Sequence, residues 1–179
     1  GHPDGIAASA ASGCIQTTVR SYAAGAFYVY NNTSMAYSGD GIPSTVATLA
    51  TIGTGGSLMM QKDVTVTQVL ILTSPIQVGT AGGNTLTLAS TGTYGGSSFV
   101  AIDGSGKHVR YVSGAGTYTL PVGSPLAASP VSLTVSGSAF AAAHIDVGIS
   151  DAKHSSNASS ANYLNWYWTL SSAGISSPQ

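Results

Sequence analysis

The segment that most constrains the fold begins at Asp63. Val64 and Val66 share one parity and Thr65 and Thr67 the other, before the run thickens into Val69-Leu70-Ile71-Leu72. β-Branched residues at period two fit a pleated surface with one side buried. Pro75 closes the run, and similar short runs follow at 76–78, 85–88, 99–102, 109–112, 118–120, 131–135, 145–149 and 163–170. Upstream, 46–52 reads as a strand, 58–60 as a short apolar piece, and 17–30 as a segment holding a strand with both faces apolar or aromatic. Gly79-Thr80-Ala81-Gly82-Gly83-Asn84, Asp103-Gly104-Ser105-Gly106 and Gly123-Ser124-Pro125 lie between runs and supply the backbone freedom or fixed φ that turns need.

About ten short strands at this spacing imply an all-β fold: β-sandwich-like, with a β-solenoid as the alternative. The one helix candidate is the alanine-rich stretch 139–144. The expected division is an N-terminal arm and first strand over 1–30, a possible donor segment, followed by an all-β domain over 31–179. The expected core is Val64, Val66, Leu70, Leu72, Leu86, Leu88, Val131, Leu133, Val135, Ile145, Val147, Ile149, Trp166 and Trp168, from their alternation.

Composition narrows the function. Only 6% of the 179 residues are charged, against roughly 25% in an average soluble domain. Five Lys/Arg against six Asp, with no Glu, cannot build the basic face that phosphate contacts require, so no nucleic-acid partner is expected. No apolar run approaches the ~20 residues of a membrane helix, so no membrane span is expected. Ser, Thr, Ala and Gly make up 93 residues. Low charge with many hydroxyls fits a protein outside the cell. The single cysteine, Cys14, excludes an intrachain disulfide. Ala11-Ser12-Gly13-Cys14 has the form of a lipoprotein box, but 1–10 lacks a basic region and a long apolar stretch, so Cys14 reads as a small apolar thiol. Asn31-Asn32-Thr33, Asn32-Thr33-Ser34 and Asn157-Ala158-Ser159 match the glycosylation triplet at a rate this composition produces by chance.

Site chemistry is sparse. There is no Gly-x-Ser-x-Gly elbow and no phosphate-binding loop. The six aspartates, 4, 40, 63, 103, 146 and 151, give no carboxylate pair in contrasting environments, and four of them sit in turn-like surroundings. His144, Asp146, Asp151 and His154 form the densest polar group and could in principle hold a divalent ion; the spacing favours a polar outer face and a surface loop. No metal, cofactor or catalytic residue is therefore expected. Lys107, His108 and Arg110 read as a solvated strand edge. Tyr22, Tyr28, Tyr30 and Tyr37 make an aromatic-rich region that could stack on sugars or pack on a neighbouring subunit. The Thr-x-Thr pairs at 65/67 and 85/87 raise ice binding, but they are few and irregularly spaced.

Four pieces occur in order: Phe99-Val100-Ala101-Ile102-Asp103-Gly104-Ser105-Gly106, Tyr118-Thr119-Leu120-Pro121-Val122-Gly123, Ser129-Pro130-Val131-Ser132-Leu133, and Leu164-Asn165-Trp166-Tyr167-Trp168-Thr169-Leu170. This order resembles a module of large secreted, adhesin-like surface proteins of the Bacteroidota that carry a C-terminal sorting signal. The resemblance spans residues 58–175, with Leu120 where the family has phenylalanine and no sorting domain in the sequence. It implies an extracellular β module.

The expected function is an extracellular, non-enzymatic structural protein: a self-assembling subunit of a surface fibre, layer or adhesin, with copies of itself as partners. The alternative is a carbohydrate-binding or adhesion module of a larger secreted protein, with glycans as ligands. Strand addition supplies the physical route to assembly. Val19, Phe27 and Val29 are the expected anchors of the donor segment, and Tyr22, Tyr28, Tyr30 and Tyr37 the expected glycan platform.

Overall fold

The structure, a computed structural model, describes residues 4–8, 13–15, 17, 19–80 and 82–176. Sixteen strands and no helix occur among them. The all-β expectation holds, and the architecture is the solenoid rather than the sandwich. β5 (Val64–Leu72) lies parallel on β3 (Thr45–Thr51). The first half of β5 carries β7 (Thr85–Leu88), and its second half carries β8 (Thr93–Gly96). A register shift between Val46 and Thr48 marks the bend that separates these two faces. β1 (Phe27–Tyr30) lies parallel on the second half of β3, and β10 (Lys107–Tyr111) lies parallel on β7.

A third face is made of β2 (Ala36–Tyr37), β4 (Leu58–Met59), β6 (Ile76–Val78), β9 (Val100–Ile102) and β12 (Val122–Ser124), stacked in parallel in that order. β13 (Ala127–Ala128) closes it antiparallel. Phe27 stands beside Thr48 and Leu49 beside Leu70, steps of 21 residues; Val64 stands beside Leu86, a step of 22. One circuit of the solenoid therefore takes 21 to 22 residues at these positions.

The preference for a sandwich fails for a definite reason. Period-two alternation says that one side of a strand is buried, but it is silent on which strand lies alongside. Hairpins and circuits bury the same parity. Here the neighbour of most strands is their counterpart one circuit later, so the strands from β1 to β12, β11 excepted, stack in parallel.

The interior is a set of stacked columns. Val46, Val66 and Leu88 form one, Leu49 and Leu70 another, and Leu58, Ile76, Val100 and Val122 come from the opposite face. All are buried. Each such side chain contributes roughly 1.5–3 kcal/mol through burial. The corners are tight. Gly79 has φ +98°, and a Cβ there would overlap the Asp103 carbonyl oxygen of the next circuit. Polar groups inside are matched: the Thr51 hydroxyl donates to the Ser74 carbonyl oxygen at 2.7 Å and accepts the Ser74 N–H at 3.2 Å.

The N-terminal end is covered by the chain's own arm. The Ile6 N–H donates to Ser38 O at 3.0 Å, and the Gly41 N–H donates to Ile6 O at 2.8 Å. The Ala8 N–H reaches Asp40 Oδ1 at 2.7 Å, and Arg20 Nη1 donates to Ala7 O at 2.6 Å. Residues 1–3, 9–12, 16 and 18 of the expected arm lie outside the described residues.

At the other end the direction changes. β15 (Ala139–Ser150) runs antiparallel on β10, and β16 (Tyr167–Ser176) runs antiparallel on β15. β11 (Gly116–Leu120) and β14 (Val131–Val135) form a separate antiparallel pair. The expected helix at 139–144 is the start of β15, with a register shift between Phe140 and His144 and Ala142 at φ 50°. Alanine favours helix, but six residues are too few to offset helix nucleation. The main chain gains more by pairing with β16. Of the expected aliphatic core, Leu133 and Val135 are half-buried and the others buried.

Candidate assembly site

One interior column runs the length of the C-terminal half: Leu86, His108, Val147, Leu170. The first three are 0% exposed, and Leu170 is 48% exposed. The neighbouring pair repeats the step, with Ile149 buried and Trp168 beside it 40% exposed. The cause is the opposing layer. The third face stops at β12 and β13, and beyond it only Ser129 and the β14 side chains Leu133 and Val135 approach β16, so its interior-type face is left partly open. This overturns the expectation that Trp166 and Trp168 lie in the core. For Trp168 the parity is right but the covering layer ends beside it; Trp166 lies just before β16 and is half-buried. The two indoles meet edge to face at 4.9 Å, and Trp168 Nε1–H donates to Ser129 O at 3.1 Å.

Beside this face runs an open groove of about 230 Å³, floored by Leu133, Val135 and Ile145 and edged by Leu170, Ser172 and Ile175. Among the described residues β16 pairs with β15 alone, leaving one edge of N–H and C=O groups without a strand partner there. Its ten residues, Tyr-Trp-Thr-Leu-Ser-Ser-Ala-Gly-Ile-Ser, include no charge and no proline. Charge and proline, two of the devices that discourage edge pairing, are missing from it.

The expected anchors lie at the opposite end. Val19, Phe27 and Val29 are 85%, 68% and 54% exposed. The main chain of 27–30 is paired in parallel with β3 of its own sheet. Phe27 and Val29 instead form, with Val69 and Ile71, an uncharged patch on the outer surface, with Thr48 and Ala50 buried between them.

The expected glycan platform is not assembled. Tyr28 and Tyr30 are buried in the first circuit, with hydroxyls donating to Ala23 O at 2.8 Å and Ser38 O at 2.7 Å. Tyr22 and Tyr37 are the members of the four with partial exposure. The alternation that put Tyr28 and Tyr30 on one parity also put them on the inner one. Of the Thr pairs, Thr65 stands between Thr45 and Thr87 in a three-rung outer column that continues as Val109 and Asp146.

The polar cluster is split. His144 Nε2 lies 3.6 Å from Asp146 Oδ1 on the outer face of β15, while Asp151 is exposed and His154 packs edge-on against Tyr167 at 4.7 Å. No group of three or more metal-ligating side chains gathers among the described residues. Nor is any helix there long and apolar enough to cross a membrane.

The basic trio is also divided. Lys107 is exposed and Arg110 half-buried, but His108 is wholly buried, correcting the solvated-edge reading. Its Nδ1–H donates to Leu86 O at 2.8 Å and its Nε2 accepts from the Tyr94 hydroxyl at 2.7 Å. The carbonyl can only accept, which fixes the tautomer. Burial, reinforced by the nearby Arg110 charge, lowers the His108 pKa to about 4, the Leu86 hydrogen bond opposing in part. Burial likewise raises the Tyr94 pKa. Arg110 lies over the Tyr94 ring at 5.7 Å and donates to Ala89 O. His108 could have been found in the sequence only through its register with Leu86.

No protein-family profile, characterised protein or solved structure matches this chain.

Proposed function

We propose that this chain is an extracellular, non-enzymatic structural protein whose copies assemble into a surface fibre, layer or adhesin. The observation that carries the reading is β16: a ten-residue, uncharged strand with one open edge and with Trp168 and Leu170 uncovered on the face that is interior elsewhere. Burying that face and pairing that edge in one event gains apolar contact and main-chain hydrogen bonds together. A net charge of −1 leaves little repulsion between copies. The hydroxyl-rich, charge-poor composition supports a location outside the cell. Sedimentation velocity over a wide concentration range tests the reading. Species heavier than one chain are expected, and a single 17.8 kDa species at every concentration would end it.

A second reading rests on the aromatic cluster at the same end. Tyr163 is exposed with Lys153 Nζ 5.2 Å from its ring centre, and Trp166 and Trp168 lie close by in sequence. Exposed aromatic faces can stack on sugars, and binding to a glycan array that is lost in Tyr163→Ala would favour the carbohydrate-binding module.

A further inference from the structure

The geometry points to a two-fold pair in which β16 meets β16 of a second copy, antiparallel, so that the two solenoids join end to end through one continuous sheet. The inference rests on the self-assembly reading and names its partner and register.

The two ends of the solenoid are not equivalent. The N-terminal end is overlaid by residues 5–8, hydrogen-bonded to 38–41, and its edge strand β1 has only four residues. A head-to-tail contact of β16 on β1 would leave most of β16 unpaired. β16 on β16 leaves little unpaired; an isologous contact of this kind closes as a dimer, so it supplies the repeating unit of the assembly, and growth into a fibre or layer takes a second surface.

The register follows from where β16 is straight. From His144↔Ala173 to Ser150↔Tyr167 it makes seven consecutive pairs with β15, and the irregularity lies beyond, towards Phe140. Gly174, at φ +72°, ends the straight stretch. Leu170 is the middle of the seven. A two-fold axis through it sets Leu170 against Leu170 and Trp168 against Ser172 of the partner subunit. Residues of equal parity then oppose each other, which keeps both interiors on one side of the sheet.

This register also gives the groove an occupant. Ser172 edges the groove, so the indole of Trp168 of the partner subunit stands at its mouth. The groove measures about 230 Å³; an apolar cavity of roughly 150 Å³ already holds benzene. No like charges meet anywhere along the strand, since β16 carries none.

Charge reversal at the axis tests the proposal on the full chain. Leu170→Lys places two ammonium groups opposite each other and should raise the dimer dissociation constant at least about tenfold. Leu170→Glu should do the same. Mixing the two variants should restore a dimer, because only a residue that meets itself is rescued this way. Circular-dichroism melts of each variant check that the monomer is folded. A mixture that stays monomeric while both variants are folded overturns the pairing. Assemblies that form equally well with Leu170→Lys overturn the pairing but leave self-assembly standing. A wild-type chain that is monomeric at all concentrations overturns both.

Discussion

The Tyr94 hydroxyl donates to His108 Nε2 at 2.7 Å inside the solenoid, while the opposite ring nitrogen holds the Leu86 carbonyl. The imidazole is fully buried and held neutral, and both of its nitrogens are satisfied. A buried polar group of this kind fixes the register of a circuit, because a slip would leave both partners without hydrogen bonds.

That arrangement makes stability pH-dependent. The folded-state pKa of His108 is lowered to about 4 from 6.5, so the unfolded chain takes up the proton first as pH falls. The contribution is fully present above 6.5 and is lost between there and about 4. It amounts to roughly 3 kcal/mol. Urea midpoints measured across that window should fall with acidification in the wild type and lose most of that slope in His108→Gln. Equal slopes in the two proteins would contradict the assignment.

Leu70 stands between Leu49 and Tyr94 in its column and is 0% exposed. Leu70→Ala should cost about 2–5 kcal/mol of unfolding free energy. Val19→Ala, at an exposed position, should change it by no more than ~0.5 kcal/mol. Equilibrium denaturation reads both, and similar values for the two would refute the column as the core.

Thr51→Val keeps the shape of a buried side chain but removes its hydroxyl. The Ser74 N–H and carbonyl lose this partner. A loss of about 1–3 kcal/mol is expected by denaturant titration. A neutral result would mean that the Ser74 corner finds other partners.

The outer patch makes a separate expectation. Phe27 contributes little to folding because it is 68% exposed. Phe27→Ser should leave the melting temperature of the monomer nearly unchanged while reducing association beyond the β16 pair, read by light scattering. A large drop in melting temperature would place Phe27 in the core after all.

Strand positions were legible in the sequence because alternation reports burial directly; Val64, Val66, Leu70 and Leu72 fall where their parity puts them. Strand neighbours were not legible, since alternation is the same for a hairpin and for a circuit. Trp168 shows a related limit: its parity is inward, yet its burial depends on a layer contributed 40 residues earlier, which ends at β12 and β13. Tyr28 and Tyr30 show the converse. Aromatic residues that suggested a surface platform are inward once β1 docks on β3. His108 looked like a surface charge because its sequence neighbours are Lys107 and, two residues on, Arg110; only its pairing with Leu86 places it inside.

The central claim is that the edge of β16 is covered by another copy. Amide hydrogen exchange of residues 167–173, followed as a function of protein concentration, tests it most directly. The account expects edge amides of this segment to gain protection as concentration rises, with little change in β3 and β5. Exchange at 167–173 that is equally fast at every concentration would contradict it.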